Sequence, residues 1–231
     1  MSHLPRSRWW GFALYAAVAL VHISALALGA DAVAAPTKLL LMPALVLAVF
    51  VAGRGSSWGL PYTLLFLALA LSWLGDGAGT FFPFAPEVPM MLLWFGLAHL
   101  CYIWLFWRVL SVRRPPAWAA VYALWWIVLL AVLWPSLGAL LIPVAVYGLV
   151  LGGTAAAASR CHPLIAWGGA FFLASDSVLA FQLFMPDVVP AFTDPVVMTT
   201  YCLGQGLIAA GVVVAARLRT TGARTETVSQ G

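Results

Sequence analysis

The stretch Ser72-Trp73-Leu74-Gly75-Asp76 closes a long apolar run and puts a carboxylate inside what the sequence predicts to be a membrane helix. One hundred residues later, Ala174-Ser175-Asp176-Ser177-Val178-Leu179-Ala180 repeats the arrangement. An acid at membrane depth is costly and marks a candidate functional site. Two acids in similar small-residue settings predict one shared site, with the rest of the chain as its scaffold and lining.

Composition supports the membrane setting. The 231 residues are 64% hydrophobic and 8% charged, with mean hydropathy +1.03. A soluble domain carries about 25% charged residues and has too little interior for this much apolar surface. The expected class is an all-α integral membrane protein forming one compact unit. The net charge of +4 comes with eleven Lys and Arg placed mostly between apolar runs, where they set topology and give no reason to expect a nucleic-acid partner. Cys101, Cys161 and Cys202 form no CxxC pair, and Cys101 and Cys202 read as small hydrophobes within apolar segments. Arg6 and Arg8 before an apolar run, followed by Asp31-Ala32-Val33-Ala34-Ala35, resemble a signal peptide. The run from Trp9 to Ala30 is long enough to span a bilayer, so a retained first helix is expected.

Working outward from Asp76, eight apolar segments can be marked, at 9–29, 38–53, 58–81, 90–109, 118–134, 137–158, 163–185 and 196–217. Gly, Pro and Arg clusters separate them, and the weakest break is Pro135-Ser136. Those two flanking segments together greatly exceed one bilayer thickness. With an even count, one side holds Arg6, Arg8, Arg54, Arg108, Arg113, Arg114, Arg160, Arg217, Arg219 and Arg224. The other side holds Lys38 with Asp31, Glu87, Asp187 and Asp194. This asymmetry predicts a single bundle of eight transmembrane helices over residues 1–219 with both termini cytoplasmic, followed by a disordered polar tail over 220–231. Leu40-Leu41-Met42-Pro43 and Leu140-Leu141-Ile142-Pro143, Asp76 and Asp176, and Tyr102 and Tyr201 share an offset of about one hundred residues. That offset suggests a 4+4 parallel internal repeat; chance alignment in a low-diversity apolar chain is the alternative.

Depth follows from ~1.5 Å of rise per residue. His22, Asp76 and Asp176 fall between the midplane and the outer interface, and Lys38 lies at the outer end of its helix. His99, Tyr102, Tyr147, Tyr201 and Gln205 fall from the outer leaflet to the midplane. The polar residues thus share one slab. His99 and Tyr102, Ser72 and Asp76, and Tyr201 and Gln205 are spaced to share helix faces. Gly75, Gly77 and Gly79, with Ala174, Ser175, Ser177 and Ala180, permit close helix approach or leave room for a ligand. Each polar residue also has an ordinary structural reading. Asp76 can face headgroups, and Asp176 can be a paired structural acid. His99 and His22 can be satisfied bundle histidines. Lys38 can snorkel to the interface, and Tyr147 and Gln205 can be interhelical glue. Most of the twelve Trp read as an interfacial belt.

Two carboxylates in a partly dry cavity titrate at different pH values, which suits an acid/base pair for hydrolysis. No GxSxG motif indicates a catalytic serine. His22, Asp76, His99 and Asp176 could supply zinc ligands, but no HExxH or close His pair supports a metal, and no cofactor is called for.

The motifs Lys38-x4-Pro43, Leu74-Gly75-Asp76, Gly96-Leu97-Ala98-His99-Leu100-Cys101-Tyr102-Ile103, Phe172-Leu173-Ala174-Ser175-Asp176-Ser177-Val178-Leu179-Ala180 and Tyr201-x3-Gln205-x-Leu207-Ile208 occur in order. Over roughly residues 15 to 215 the chain resembles the YhhN family, the bacterial group related to the mammalian transmembrane protein 86 lysoplasmalogenases. Leu39 departs from the pattern, since the family often has Pro after the Lys; this bears on the start of the second helix. The resemblance implies an eight-helix hydrolase of the bacterial plasma membrane. Its partners would be the bilayer and a lysophospholipid whose vinyl ether bond it cleaves to a fatty aldehyde and a glycerophospho-ethanolamine or -choline. Asp76 and Asp176 would be catalytic, and Lys38, His99, Tyr102, Tyr147, Tyr201 and Gln205 would bind substrate. A zinc-dependent intramembrane lipid hydrolase and a non-enzymatic lipid or proton-coupled carrier are the competing expectations.

Overall fold

A computed structural model describes residues 9–190 and 192–229, with side chains through residue 219. Its elements in order are α1 (Trp10–Ala27), α2 (Asp31–Gly53), α3 (Leu60–Asp76), the single turn α4 (Ala78–Phe81), α5 (Glu87–Trp104), α6 (Val121–Leu137), α7 (Leu141–Ala158), α8 (Pro163–Phe184) and α9 (Thr193–Ser229). Short π and 3-10 turns extend α5, precede α6 and join α6 to α7. The described residues contain no strand. The protein is an all-helical, multi-pass membrane protein.

Six helical stretches are long and apolar enough to cross a membrane: Trp10–Ala27, Asp31–Gly53, Glu87–Val109, Ala117–Ala158, Pro163–Phe184 and Thr193–Arg219. Against the eight expected, Leu60–Asp76 is apolar but shorter, and Ala117–Ala158 is one stretch of 42 residues. At ~1.5 Å per residue such a stretch would be about twice as long as a ~30 Å hydrocarbon core is thick. It folds back on itself. The Trp126 indole donates to the Ala145 carbonyl at 2.9 Å. A Cβ on Gly152 would lie 3.5 Å from the Trp125 ring and 3.6 Å from the Tyr122 carbonyl. Later residues of α6 therefore meet earlier residues of α7, and the two arms are antiparallel. The reversal falls at Gly138 rather than at Pro135-Ser136. Gly138 has φ +49°, which favours glycine, whereas Pro135 stays within the last turn of α6.

Three other boundaries differ from expectation. The second segment starts at Asp31, not at 38, because the acid sits favourably in the first turn; Pro36 and Pro43 are held inside the helix. Lys38 consequently lies two turns within α2. The third segment breaks at Gly77, immediately after Asp76, and a one-turn helix follows. The last helix extends through Ser229, into the segment 220–231 expected as a tail.

Small residues set the closest helix crossings. α8 packs most extensively on α9. A Cβ on Gly168 would stand 2.8 Å from the Gly204 carbonyl oxygen, and one on Gly204 would stand 2.9 Å from the Phe172 nitrogen. α1 meets α2 where Gly11 approaches the Ala48 Cα. The loops sort by charge. The Arg113 Nε donates to the Ser159 carbonyl at 2.9 Å and Val112 N to the Arg160 carbonyl at 3.0 Å, joining two arginine-bearing loops at one end. Arg160 there stacks over Trp107 at 3.9 Å. Buried Cys161 lies in the same connection; its thiol bonds the Phe106 carbonyl at 3.4 Å and is pushed up to about 12 by burial. At the opposite end, Glu87 closes over Gly79, and Gln182 donates to Asp194.

Candidate functional site

Asp76 is the last residue of α3, so its side chain leaves the helix where the backbone turns at Gly77. Asp76 is 9% exposed, and its carboxylate accepts a hydrogen bond from the Tyr201 hydroxyl at 2.7 Å. Behind that tyrosine sits Gln205, one helical turn further along α9. Its amide nitrogen lies 3.5 Å from the Tyr201 hydroxyl and donates to Ser72 Oγ at 3.1 Å. Its amide oxygen accepts from the Tyr102 hydroxyl at 2.6 Å. Ser72, Tyr102 and Gln205 are fully buried, so this network satisfies polar atoms that would otherwise be stranded.

Asp176 lies in mid-α8 and accepts a hydrogen bond from the Tyr147 hydroxyl of α7. It is less enclosed than Asp76. Its neighbours on α8 serve the frame: Ser175 donates to the Val197 carbonyl at 2.9 Å, and Ser177 accepts from the Trp125 indole at 3.0 Å.

Both acids face one cavity of about 340 Å³. Lys38, Tyr147 and Tyr201 line it with them, as does His22, which was expected to be structural. The His22 Nδ1 pairs with Thr37 Oγ1 at 3.0 Å. Lys38 is within electrostatic reach of Asp76. The remaining walls are largely hydrocarbon and aromatic, led by Phe95, Trp125, Trp126, Leu130 and Leu151.

Three residues expected to bind substrate stand outside this cavity. Tyr102 and Gln205 lie behind Tyr201, as described. His99 is fully buried among Phe172, Tyr147 and Tyr102, with ring centroids 4.6, 5.8 and 6.2 Å away, and neither ring nitrogen has a hydrogen-bond partner among the described residues. The physical reason is azimuth. Depth places a residue in a slab, but helix rotation decides which neighbour its side chain meets. Of the two readings of the glycines beside Asp76, close packing is the one seen at Gly75 and Gly77. A Cβ on Gly75 would lie 2.6 Å from the Phe95 ring, and one on Gly77 2.3 Å from the Phe81 ring.

Sequence reasoning missed Trp125 and Trp126 as cavity walls, and Gln182 and Asp194, which also line the cavity. The signal for the tryptophans was their position well inside an apolar run, away from the ends where a belt belongs. Among the described residues, no group of three or more His, Cys, Asp or Glu could hold a metal ion. The zinc-dependent expectation therefore gains no ligand set here.

The arrangement can bind a molecule with a hydrocarbon part and a polar part, and can bring two carboxylates to the polar part. The model of the YhhN family matches residues 33–212, and the chain belongs to that family. No curated protein and no solved structure matches it.

Proposed function

We propose that this chain is a membrane hydrolase that cleaves the vinyl ether bond of lysoplasmalogens, releasing a fatty aldehyde and a glycerophospho-ethanolamine or -choline. The observation that carries the proposal is the single cavity in which Asp76 and Asp176 each accept a tyrosine hydrogen bond beneath hydrocarbon walls. Vinyl ether hydrolysis requires a proton delivered to an alkene carbon, then water added to the resulting oxocarbenium ion. A carboxylic acid and a carboxylate supply those two services. Lys38 would hold the phosphate, and Tyr147 and Tyr201 would orient the acids. Trp125, Trp126 and the leucines would hold the chain.

In this proposal the chain crosses the bacterial plasma membrane eight times, with α6 and α7 counted separately and α3 included. The arginine-bearing loops and both termini are cytoplasmic, and the cavity belongs to the outer half of the bilayer, where a single-chain amphiphile can enter. The bilayer and the lysophospholipid are its partners.

The test is aldehyde release from lysoplasmenyl-ethanolamine in proteoliposomes. Wild type should release aldehyde stoichiometrically, and Asp76→Asn and Asp176→Asn should each lose at least ~10²-fold, within the range for removing a general acid or base. A wild type that cleaves other lipids but no vinyl ether would overturn the substrate assignment alone. Movement of lipid or protons without product would favour a carrier.

A further inference from the structure

We infer that the two aspartates are fixed in unequal roles, with Asp176 holding the transferable proton and Asp76 holding the negative charge. The assignment takes its chemistry from the hydrolase proposal, but its evidence lies in the direction of hydrogen bonds and in charge placement.

Gln205 sets the direction. An amide has one accepting end and one donating end. The accepting end takes the Tyr102 proton at 2.6 Å, and the donating end faces Ser72 Oγ and the Tyr201 oxygen. The Tyr201 oxygen thus meets a donor, and its own proton points to Asp76 at 2.7 Å. Every step runs donor to acceptor and ends on Asp76. An ionised carboxylate only accepts, so it suits the end of such a chain.

No such chain stands behind Asp176. The Tyr147 hydroxyl makes no second hydrogen bond among the described residues. The residue one turn before Asp176 is Phe172, where Asp76 has Ser72. Charge placement agrees. The titratable and charged groups facing the cavity are His22 from α1, Lys38 from α2, Asp76 from α3, Tyr147 from α7, Asp176 from α8, and Tyr201 and Asp194 from α9. Lys38 is in electrostatic reach of Asp76, whereas the charged group in reach of Asp176 is Asp76 itself. One cation compensates one buried anion. A second uncompensated anion is costly, and a carboxylic acid avoids that cost by keeping its proton. Tyr147 then donates to one oxygen of Asp176, and the proton rides on the other.

The roles balance over a turnover. The Asp176 proton passes to the vinyl carbon β to the ether oxygen, leaving a carboxylate and an oxocarbenium ion. Water adds to the oxocarbenium carbon as one of its protons passes to Asp76, giving a hemiacetal. On collapse, the hemiacetal hydroxyl proton returns to Asp176 while the Asp76 proton goes to the departing glycerol oxygen. Aldehyde and alcohol leave, and both acids are restored.

Infrared difference spectroscopy of the purified protein in bilayers at pH 7 reads the proton directly, with no substrate present. Wild type should show one buried carboxyl C=O band that shifts in D2O. Asp176→Asn should remove it completely, and Asp76→Asn should retain it. In Lys38→Met/Asp176→Asn the band should reappear, because Asp76 without its cation takes up the proton; a merely structural role for Lys38 would not move it. A band lost with Asp76→Asn and kept with Asp176→Asn, or no band in wild type, overturns the assignment. The two proposals fail separately: a reversed band with both Asn variants inactive leaves the hydrolase standing. A band on Asp176 in a protein inert towards vinyl ethers leaves the proton assignment standing without it.

Discussion

The Asp76 region and the Asp176 region present the same acid to the same cavity through different supports. Asp76 is backed by a hydroxyl, an amide and a phenol that are fully buried and mutually satisfied. Asp176 is backed by rings: its partner Tyr147 packs edge-on to His99 at 5.8 Å, and His99 packs edge-on to Phe172 at 4.6 Å. A polar backing fixes the direction of the hydrogen bond it supports and makes every member of the network costly to remove. An aromatic backing fixes position without dictating where a proton sits. Related sequence surroundings can therefore support a carboxylate in two different ways.

The largest test of this contrast uses the acids themselves. If the two regions form one site, Asp76→Asn and Asp176→Asn should each cost at least ~10²-fold in aldehyde release. Full activity in either variant separates the regions. Next in size are the helix crossings. Gly204→Ala would press a Cβ against backbone of α8 and should cost about 1–3 kcal/mol in thermal unfolding. Gly96→Ala, whose Cβ would meet nothing nearer than a Tyr147 ring carbon at 3.9 Å, should cost no more than about 0.5 kcal/mol. Equal losses would mean that the α8–α9 contact is looser than described.

The supports themselves come third. Gln205→Leu strands the buried hydroxyls of Tyr102 and Ser72 and should destabilise by about 1–3 kcal/mol. Tyr147→Phe takes a hydrogen bond from an acid that already faces the cavity, and should cost about 1 kcal/mol or less. The reverse order would erase the distinction between polar and aromatic backing. The smallest expected effect lies at the basic end. Burial pushes the Cys161 thiol up to about 12, leaving little thiolate at pH 8. Maleimide should label it only after denaturation; fast labelling of the folded protein would show that end to be open.

Much of this was legible before the fold. Apolar runs and charged breaks located the helices, since a bilayer demands both. Depth counting brought Asp76, Asp176, Lys38, Tyr147 and Tyr201 into one slab, and all five line the cavity. The same counting could not rotate a helix. His99 and Tyr102 share a face of α5 as their spacing requires, yet that face turns to Phe172 and Gln205 rather than to the cavity. Spacing correctly puts Gln205 beside Tyr201, but only packing against α3 and α5 makes it a backing for the site. Gly138 was obscured for another reason. Pro135 and Ser136 advertise a break, but a proline near the end of a helix is tolerable, whereas a positive φ singles out glycine.

The hairpin that Gly138 creates leaves α6 packed mainly on α7, and less on α8, with Leu133 and Leu137 its buried side chains. Yet Trp125, Trp126, Leu129, Leu130 and Leu133 make it one wall of the cavity. That wall is one helix thick, and its outer face carries exposed Leu124, Ile127, Val128 and Trp134. In a bilayer such a face would meet lipid tails, and the order of the surrounding leaflet would then bear on the same helix that encloses the two acids. The bilayer would thereby be a structural component of the chamber as well as its solvent.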